Sequence, residues 1–186
     1  MSDDLALCNI EDLRQRAKKR LPHPVFEYID RGAEDEIALQ NNREVYRSLK
    51  LRNRVLKDVS KRSTAIEIFG RKIRMPYAIS PTASAGLMAE GGEVALAKAA
   101  ARMGVPCTVA TQSLTPMEEI YEAAGGNLWF QLYMWVDPKL RMAFVERVKS
   151  IGFDTLLVTV DGSVGPNPVH HPRAGYSTPL CYTPLL

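Results

Sequence analysis

"NLWFQLYMWVDPKLRMAFVERVKSIGFDTLLVTVD", residues 127–161, reads as strand, helix, strand. The runs 127–133 and 154–161 are short, apolar and rich in aromatic and β-branched residues, as strands buried between other layers are. Between them, Asp137 is placed to cap a helix, Pro138 suits its first position and Gly152 its end. A strand that returns to the sheet through a helix is a parallel crossover.

The same unit repeats toward the N-terminus. "YAIS" (77–80) is a short apolar strand, and "EGGEVALAKAAARMG" (90–104) is an Ala-rich helix. "VPCTVAT" (105–111) is a second strand. "TPMEEIYEAA" (115–124) is a helix, for which Thr115 and Glu118 offer a capping box. Four strands alternating with helices give an α/β fold with a parallel sheet covered by helices. Two architectures satisfy this pattern, a doubly wound sheet and part of a (β/α)8 barrel. A complete barrel takes about 250 residues, and this chain of 186 holds four of the eight strands.

Residues 1–74 differ from the repeat. "NIEDLRQRAKKRL" places Ile10, Leu13, Ala17 and Leu21 at helical spacing behind Asn9 as cap, and Pro22 and Pro24 stop it. A short helix then ends near Gly32, and another begins near Glu34. Around Phe69-Gly70-Arg71 the sequence reads as a hairpin leading into the first strand of the repeat. The chain is expected to form a single domain over 1–186, with 1–74 as N-terminal helices and hairpin and 75–186 as the βα units and a following loop.

Composition narrows the function. Apolar residues make up 46% and charged residues 24%, ordinary values for a globular protein. A net charge of +3 with scattered Lys and Arg argues against a nucleic-acid partner. Cys8, Cys107 and Cys181 are far apart and form no CxxC pair, which argues against a disulfide framework or zinc ribbon and fits a reducing compartment. The acidic N-terminus reads as no signal peptide, and no apolar run is long enough to span a membrane.

In parallel α/β folds ligands gather at the C-terminal ends of the strands. The first strand ends in "SPTASAG" (80–86), small enough for a flat ligand to approach the backbone and equally readable as an ordinary βα turn. It is not GxGxxG, so a dinucleotide site has little support. On the third strand, Trp129, Gln131 and Tyr133 share one face, with Phe130 and Leu132 on the other. An inward amide and phenol need partners. Those are either a heteroaromatic ligand or each other and water. Thr159 and Asp161 place further polar groups at the end of the fourth strand. In "TVDGSVGPNPVHHPR" (159–173), His170 and His171 read as a solvated loop pair; with His23 the only other histidine, no metal site is expected.

Taken together, "LPHPVFEYIDRGAEDE" (21–36), "MPYAISPTASAG" (75–86), "WFQLY" (129–133) and "LLVTVD" (156–161) resemble, in order and spacing, the FMN-dependent α-hydroxy-acid oxidoreductases. That family includes glycolate oxidase, lactate dehydrogenase and mandelate dehydrogenase. The resemblance runs from about residue 9 to about 180 and implies a TIM barrel with FMN at its C-terminal face, oxidising a small 2-hydroxy acid to the 2-oxo acid by hydride transfer to flavin N5. By resemblance, the backbone of Pro81, Thr82 and Ala83 would face the flavin N5 and O4 edge, and Gln131 and Thr159 would bind its pyrimidine ring. Tyr28 would hold the substrate carboxylate, and Tyr133 would be the catalytic tyrosine near the substrate hydroxyl. A lactate- or mandelate-type substrate is favoured by the small residues of "TASAG".

Two positions depart from the family's pattern. Ala110 stands where a serine usually reaches the flavin, and Pro168 where an arginine helps to grip the carboxylate. Losing one neutral hydrogen bond costs on the order of 1 kcal/mol, whereas a proline cannot replace a bidentate arginine. The family's catalytic His and Arg, a flavin-facing Lys and the phosphate-binding loops belong to a half that this sequence does not contain. The chain is therefore expected to be an N-terminal half, by truncation, gene fragment or split subunit. It would bind FMN weakly or not at all and be inactive alone. Its open edges would invite a second copy or a complementing C-terminal half. The alternative is a non-catalytic interaction or regulatory subunit built on the same scaffold. A cytoplasmic location is expected, or a peripheral one at the inner face of the membrane, since some relatives attach through the segment after the fourth strand.

Overall fold

The computed structural model describes residues 8–162 and 164–179. In chain order the elements are α1 (Ile10–Arg20), α2 (His23–Asp30), α3 (Ile37–Ser48), β1 (Ile66–Ile68), β2 (Arg71–Ile73), α4 (Gly92–Met103), β3 (Cys107–Val109), α5 (Met117–Ala124), β4 (Leu128–Tyr133), α6 (Pro138–Ile151), β5 (Leu156–Thr159) and α7 (His170–Arg173). The described residues form two compact units, one of residues 8–55 with 164–179 and one of residues 56–162.

In the first unit, Asn9 caps α1 as its position suggests. Its side chain accepts the Asp12 N–H, and Asp12 reaches back to the Asn9 N–H, closing a capping box. Helices α1 and α2 are joined by Arg14, whose guanidinium forks onto Asp30 at 2.5 and 2.8 Å. The Arg14 hydrogen bond holds the Asp30 carboxyl below its ordinary range. Phe26, on α2, is the buried residue of this helix pair.

In the second unit, β1 and β2 form the expected hairpin, paired antiparallel from Ile66↔Ile73 to Ile68↔Arg71. Its turn residues, Phe69 and Gly70, both have positive φ, the conformation that matches the twist of a two-residue hairpin. Phe69 sets its ring edge against Trp129 at 5.7 Å, and Arg71 reaches the Gly126 carbonyl at 2.9 Å and pairs with Asp154. The hairpin thus packs at the N-terminal end of the parallel sheet.

That sheet has the order β3–β4–β5, all parallel. The expected first strand at 77–80 is reduced to a bridge: Ile79 pairs with Cys107, its N–H donating to Pro106 and its carbonyl accepting from Thr108. Four strand positions therefore follow each other in sequence order, each crossover carried by one helix. The faces divide as the period-two reading expects. Cys107, Val109, Leu128 and Phe130 turn toward α4, α5 and α6, joining Ala97, Ala100, Ile120, Val148 and Phe153 in one core. Phe130 lies edge-on to Phe144 and Phe153 at 5.6 and 5.5 Å. Thr108, Trp129, Gln131 and Tyr133 occupy the other face.

The sheet does not close among the described residues. β5 has no strand beyond it, and Leu156, Val158 and Val160 are 38, 44 and 84% exposed. No helix among the described residues is long and apolar enough to cross a membrane.

Candidate functional site

Beyond Val109↔Phe130 the β3–β4 ladder stops, while β4 continues alongside β5 to Tyr133↔Thr159. The strands part at their C-terminal ends, and polar side chains gather in the opening. Gln131 is 4% exposed. Its Oε1 accepts the backbone N–H of Thr111 at 3.1 Å, and its Nε2 donates to Oγ1 of Thr159 at 2.7 Å. Its protein partners are two threonines on the flanking segments and not Tyr133. The Gln131 amide still has a second proton and the Thr159 hydroxyl its own proton to give.

The sequence pattern runs the second strand over 105–111 and gives Thr111, at its end, no role, whereas β3 stops at Val109 and leaves Thr111 beyond the ladder. Besides its N–H, its Oγ1 donates to the Gln131 carbonyl at 2.5 Å and accepts the Tyr133 N–H at 3.4 Å. The one available signal was a hydroxyl residue immediately past a strand whose neighbour runs longer.

Pro81 and Thr82 are exposed on the loop after Ile79, and Ala83 is half-buried. Ser84 ties this loop to the next, its N–H donating to the Gln112 carbonyl at 3.0 Å. Ala110 is buried and contributes only a methyl group. Tyr133, at the end of β4, is 43% exposed.

Behind these loops stands Glu93, in the first turn of α4 and 7% exposed. Its carboxylate accepts the N–H groups of Gly86 at 3.0 Å and Leu114 at 3.1 Å, and the hydroxyl of Thr115 at 3.1 Å. Burial pushes its pKa up, and the donors from Gly86, Leu114 and Thr115 outweigh that and hold it below the ordinary value. Thr115 is accordingly not the cap of α5: it donates to Glu93, and Pro116 precedes the helix without a side-chain cap. A capping box read from local spacing gave way to a buried charge needing donors. Glu93 thus fixes both βα loops that flank the opening.

In the first unit, Tyr28 is half-buried on α2 and stacks on Tyr176 with ring centres 4.4 Å apart and planes 10° from parallel. His171 completes the cluster at 5.4 Å from Tyr28 and 5.5 Å from Tyr176. Burial, and then the neighbouring Tyr28, raise the Tyr176 pKa. His170 faces the Arg31 guanidinium at 3.2 Å, and Arg31 pairs with Glu36 at 3.0 Å. The histidine pair is therefore not a solvated loop. Both rings are half-buried in the helical turn α7, because the aromatic and guanidinium surfaces of the α2 region cover them. Pro168 begins this turn, its carbonyl accepting the His171 N–H at 3.0 Å, and brings no side-chain donor.

Residues 17–185 match the family model of the FMN-dependent dehydrogenases. The chain belongs to that family. Among FMN-dependent dehydrogenases it is 43% identical over 150 residues to an L-lactate dehydrogenase of Vibrio parahaemolyticus, covering 81% of this chain and 40% of that one. An L-lactate dehydrogenase of Chromohalobacter salexigens is 44% identical over 150 residues, covering 81% and 38%. The crystal structure of the monotopic membrane protein (S)-mandelate dehydrogenase superposes with a TM-score of 0.90 at 34% identity, covering 96% of this chain and 48% of that one. A soluble mutant of the Pseudomonas putida (S)-mandelate dehydrogenase gives 0.87 at 34% identity, covering 94% and 50%. The chain spans 38–50% of the length of these relatives. Its fold is the corresponding part of their FMN-dependent TIM barrel, and the doubly wound alternative is set aside.

The donor set suits the cofactor of the FMN-dependent dehydrogenases. The pyrimidine edge of a flavin carries ring carbonyls that need donors. The remaining proton of Gln131 and the hydroxyl of Thr159 could supply them at a strand end, without a charge that would oppose a neutral ring.

Proposed function

We propose that this chain is the part of an FMN-dependent 2-hydroxy-acid oxidoreductase that holds the flavin ring and one side of the substrate. The observation that carries this reading is the Thr111–Gln131–Thr159 network at the strand ends, in a chain that belongs to the FMN-dependent dehydrogenases. The reading of residues 1–186 as part of a single domain rests on the unbroken family match over 17–185.

Bound FMN would supply acceptance of a hydride equivalent from the substrate α-carbon. Gln131 and Thr159 would donate to the pyrimidine ring. The exposed backbone of Pro81 and Thr82, with Ala83, would lie along the N5 and O4 edge, where the absence of bulky side chains allows close approach. Ala110 makes no hydrogen bond in place of the family's serine. Tyr133 would act near the substrate hydroxyl, and Tyr28 would donate its phenol to the carboxylate. With Pro168 in the arginine position, the carboxylate would lose a bidentate partner.

The substrate class we infer is a small L-2-hydroxy acid of the lactate or mandelate type, the substrates named for the relatives. The 186 residues alone would hold FMN weakly, through the ring, and would not turn over without a complementing half or a second copy to cover β5. Peripheral membrane attachment is the corresponding proposal for location, supported by the monotopic relative.

Anaerobic mixing with FMN and L-lactate or (S)-mandelate tests the reading. The 186-residue chain should leave the flavin absorbance unchanged, and the completed barrel should bleach it. Bleaching by the chain alone would overturn its inactivity. A completed barrel that bleaches with neither acid would overturn the function.

A further inference from the structure

We propose that Thr111 is a positioning residue that fixes which way the Gln131 amide points. This rests on the reading of Gln131 as a flavin-ring contact and extends it to a residue outside that contact.

Alternate residues of β4 direct their backbone groups to opposite sides. Phe130 donates its N–H to Thr155, on the β5 side, which turns the Gln131 carbonyl and the Tyr133 N–H toward β3. There the β3 backbone has already left the ladder, after Val109. Two main-chain groups at this strand end would be left without partners in the protein. The Thr111 hydroxyl serves both, donating to the Gln131 carbonyl and accepting from the Tyr133 N–H. A single side chain thus replaces the missing ladder and lets the strands part without orphaned groups.

The same residue controls the amide. Its backbone N–H can bond only to an acceptor, so Oε1 of Gln131 must lie on the Thr111 side. Rotating the amide by half a turn would set Nε2 against that N–H, donor against donor. It would also place Oε1 beside Oγ1 of Thr159, whose hydroxyl would then have to spend its own proton on the amide. With Thr111 in place, Nε2 faces Thr159 and its second proton is kept for a ligand. A ring carbonyl approaching the strand end meets a donor. With a rotated amide it would meet an oxygen.

The test uses the purified 186-residue chain without flavin, labelled with ¹⁵N and followed through the Gln131 side-chain amide. The parent chain should show two well-separated amide protons exchanging slowly with solvent. Thr111→Ser keeps the hydroxyl and should keep this signature. Thr111→Val and Thr111→Ala keep the backbone N–H but remove the hydroxyl that pins it against β4. That N–H should then drift from Oε1. Exchange should speed about tenfold, the equivalent of one lost neutral hydrogen bond, and the two protons should come together. A chain that folds by circular dichroism with Ser but with neither Val nor Ala supports the clamp. A Gln131 amide unchanged in either hydroxyl-free variant overturns it. Millimolar FMN is then added to the parent chain. A shift of the Gln131 and Thr159 signals supports the ring contact, and no shift overturns that reading while leaving the Thr111 result to stand by itself.

Discussion

Nε2 of Gln131 donates to Oγ1 of Thr159 across 2.7 Å, linking the ends of two parallel strands on the face turned away from the helices. The bond sets the orientation of the two groups that would meet a flavin ring. Thr159→Val removes the acceptor and leaves a buried amide proton unpaired. Urea denaturation should show a loss of about 1–3 kcal/mol, whereas Thr159→Ser should stay close to the parent.

Glu93 gives the pH dependence a sign. Its folded-state pKa lies below the ordinary carboxylate value, burial raising it and the Gly86, Leu114 and Thr115 donors lowering it further. Between the lowered folded value and the ordinary unfolded value the folded state binds fewer protons, so stability rises across that window and this carboxylate's contribution is complete above it, at neutral pH. The contribution is lost as pH falls through the lowered pKa. Glu93→Gln should flatten the acid limb of a stability–pH profile, and Glu93→Ala should cost about 2–4 kcal/mol at neutral pH by orphaning buried donors.

Gly92 opens α4 where a Cβ would run into the carbonyl of Ala85 and come within 2.7 Å of its carbon. Backbone cannot swing aside as a side chain can. Gly92→Ala should lower stability by about 1–3 kcal/mol and loosen the 84–88 turn, read as faster amide exchange at Leu87 and Met88.

Cys107 is 4% exposed in the sheet core, and burial pushes its thiol up to about 11. A thiol-reactive dye at pH 8 should modify the exposed Cys8 promptly and Cys107 only on unfolding. The linkage has the opposite sign to that of Glu93. Stability is full below the unfolded thiol pKa and falls as pH climbs toward 11, because the unfolded chain releases this proton first.

The repeat of strands and helices was legible because each strand is a short apolar run and each helix carries local stop signals, Gly104 and Gly152 among them. Asn9 and Asp137 cap their helices as their positions suggest, because nothing buried competes for them. Thr115 does not, because Glu93, far from it in sequence, needs its hydroxyl. The inward faces of Gln131 and Thr159 followed from period two, but their partner Thr111 did not. Its role exists only because β3 ends two residues before it while β4 runs on, and strand length at that precision is not written in propensity. The His170–His171 pair misled for a related reason. Its burial depends on Tyr28 and Arg31, more than a hundred positions away.

We infer that this chain meets the flavin through its ring, at Gln131 and Thr159, rather than through its phosphate. The most direct measurement titrates the purified 186-residue chain with FMN and with riboflavin, following flavin absorbance, with gel filtration on the same samples. Equal and weak affinities for the two are the expected result, since they share the ring and differ by the phosphate. Stoichiometric binding of FMN that riboflavin does not match would contradict the claim and place a phosphate site within these residues.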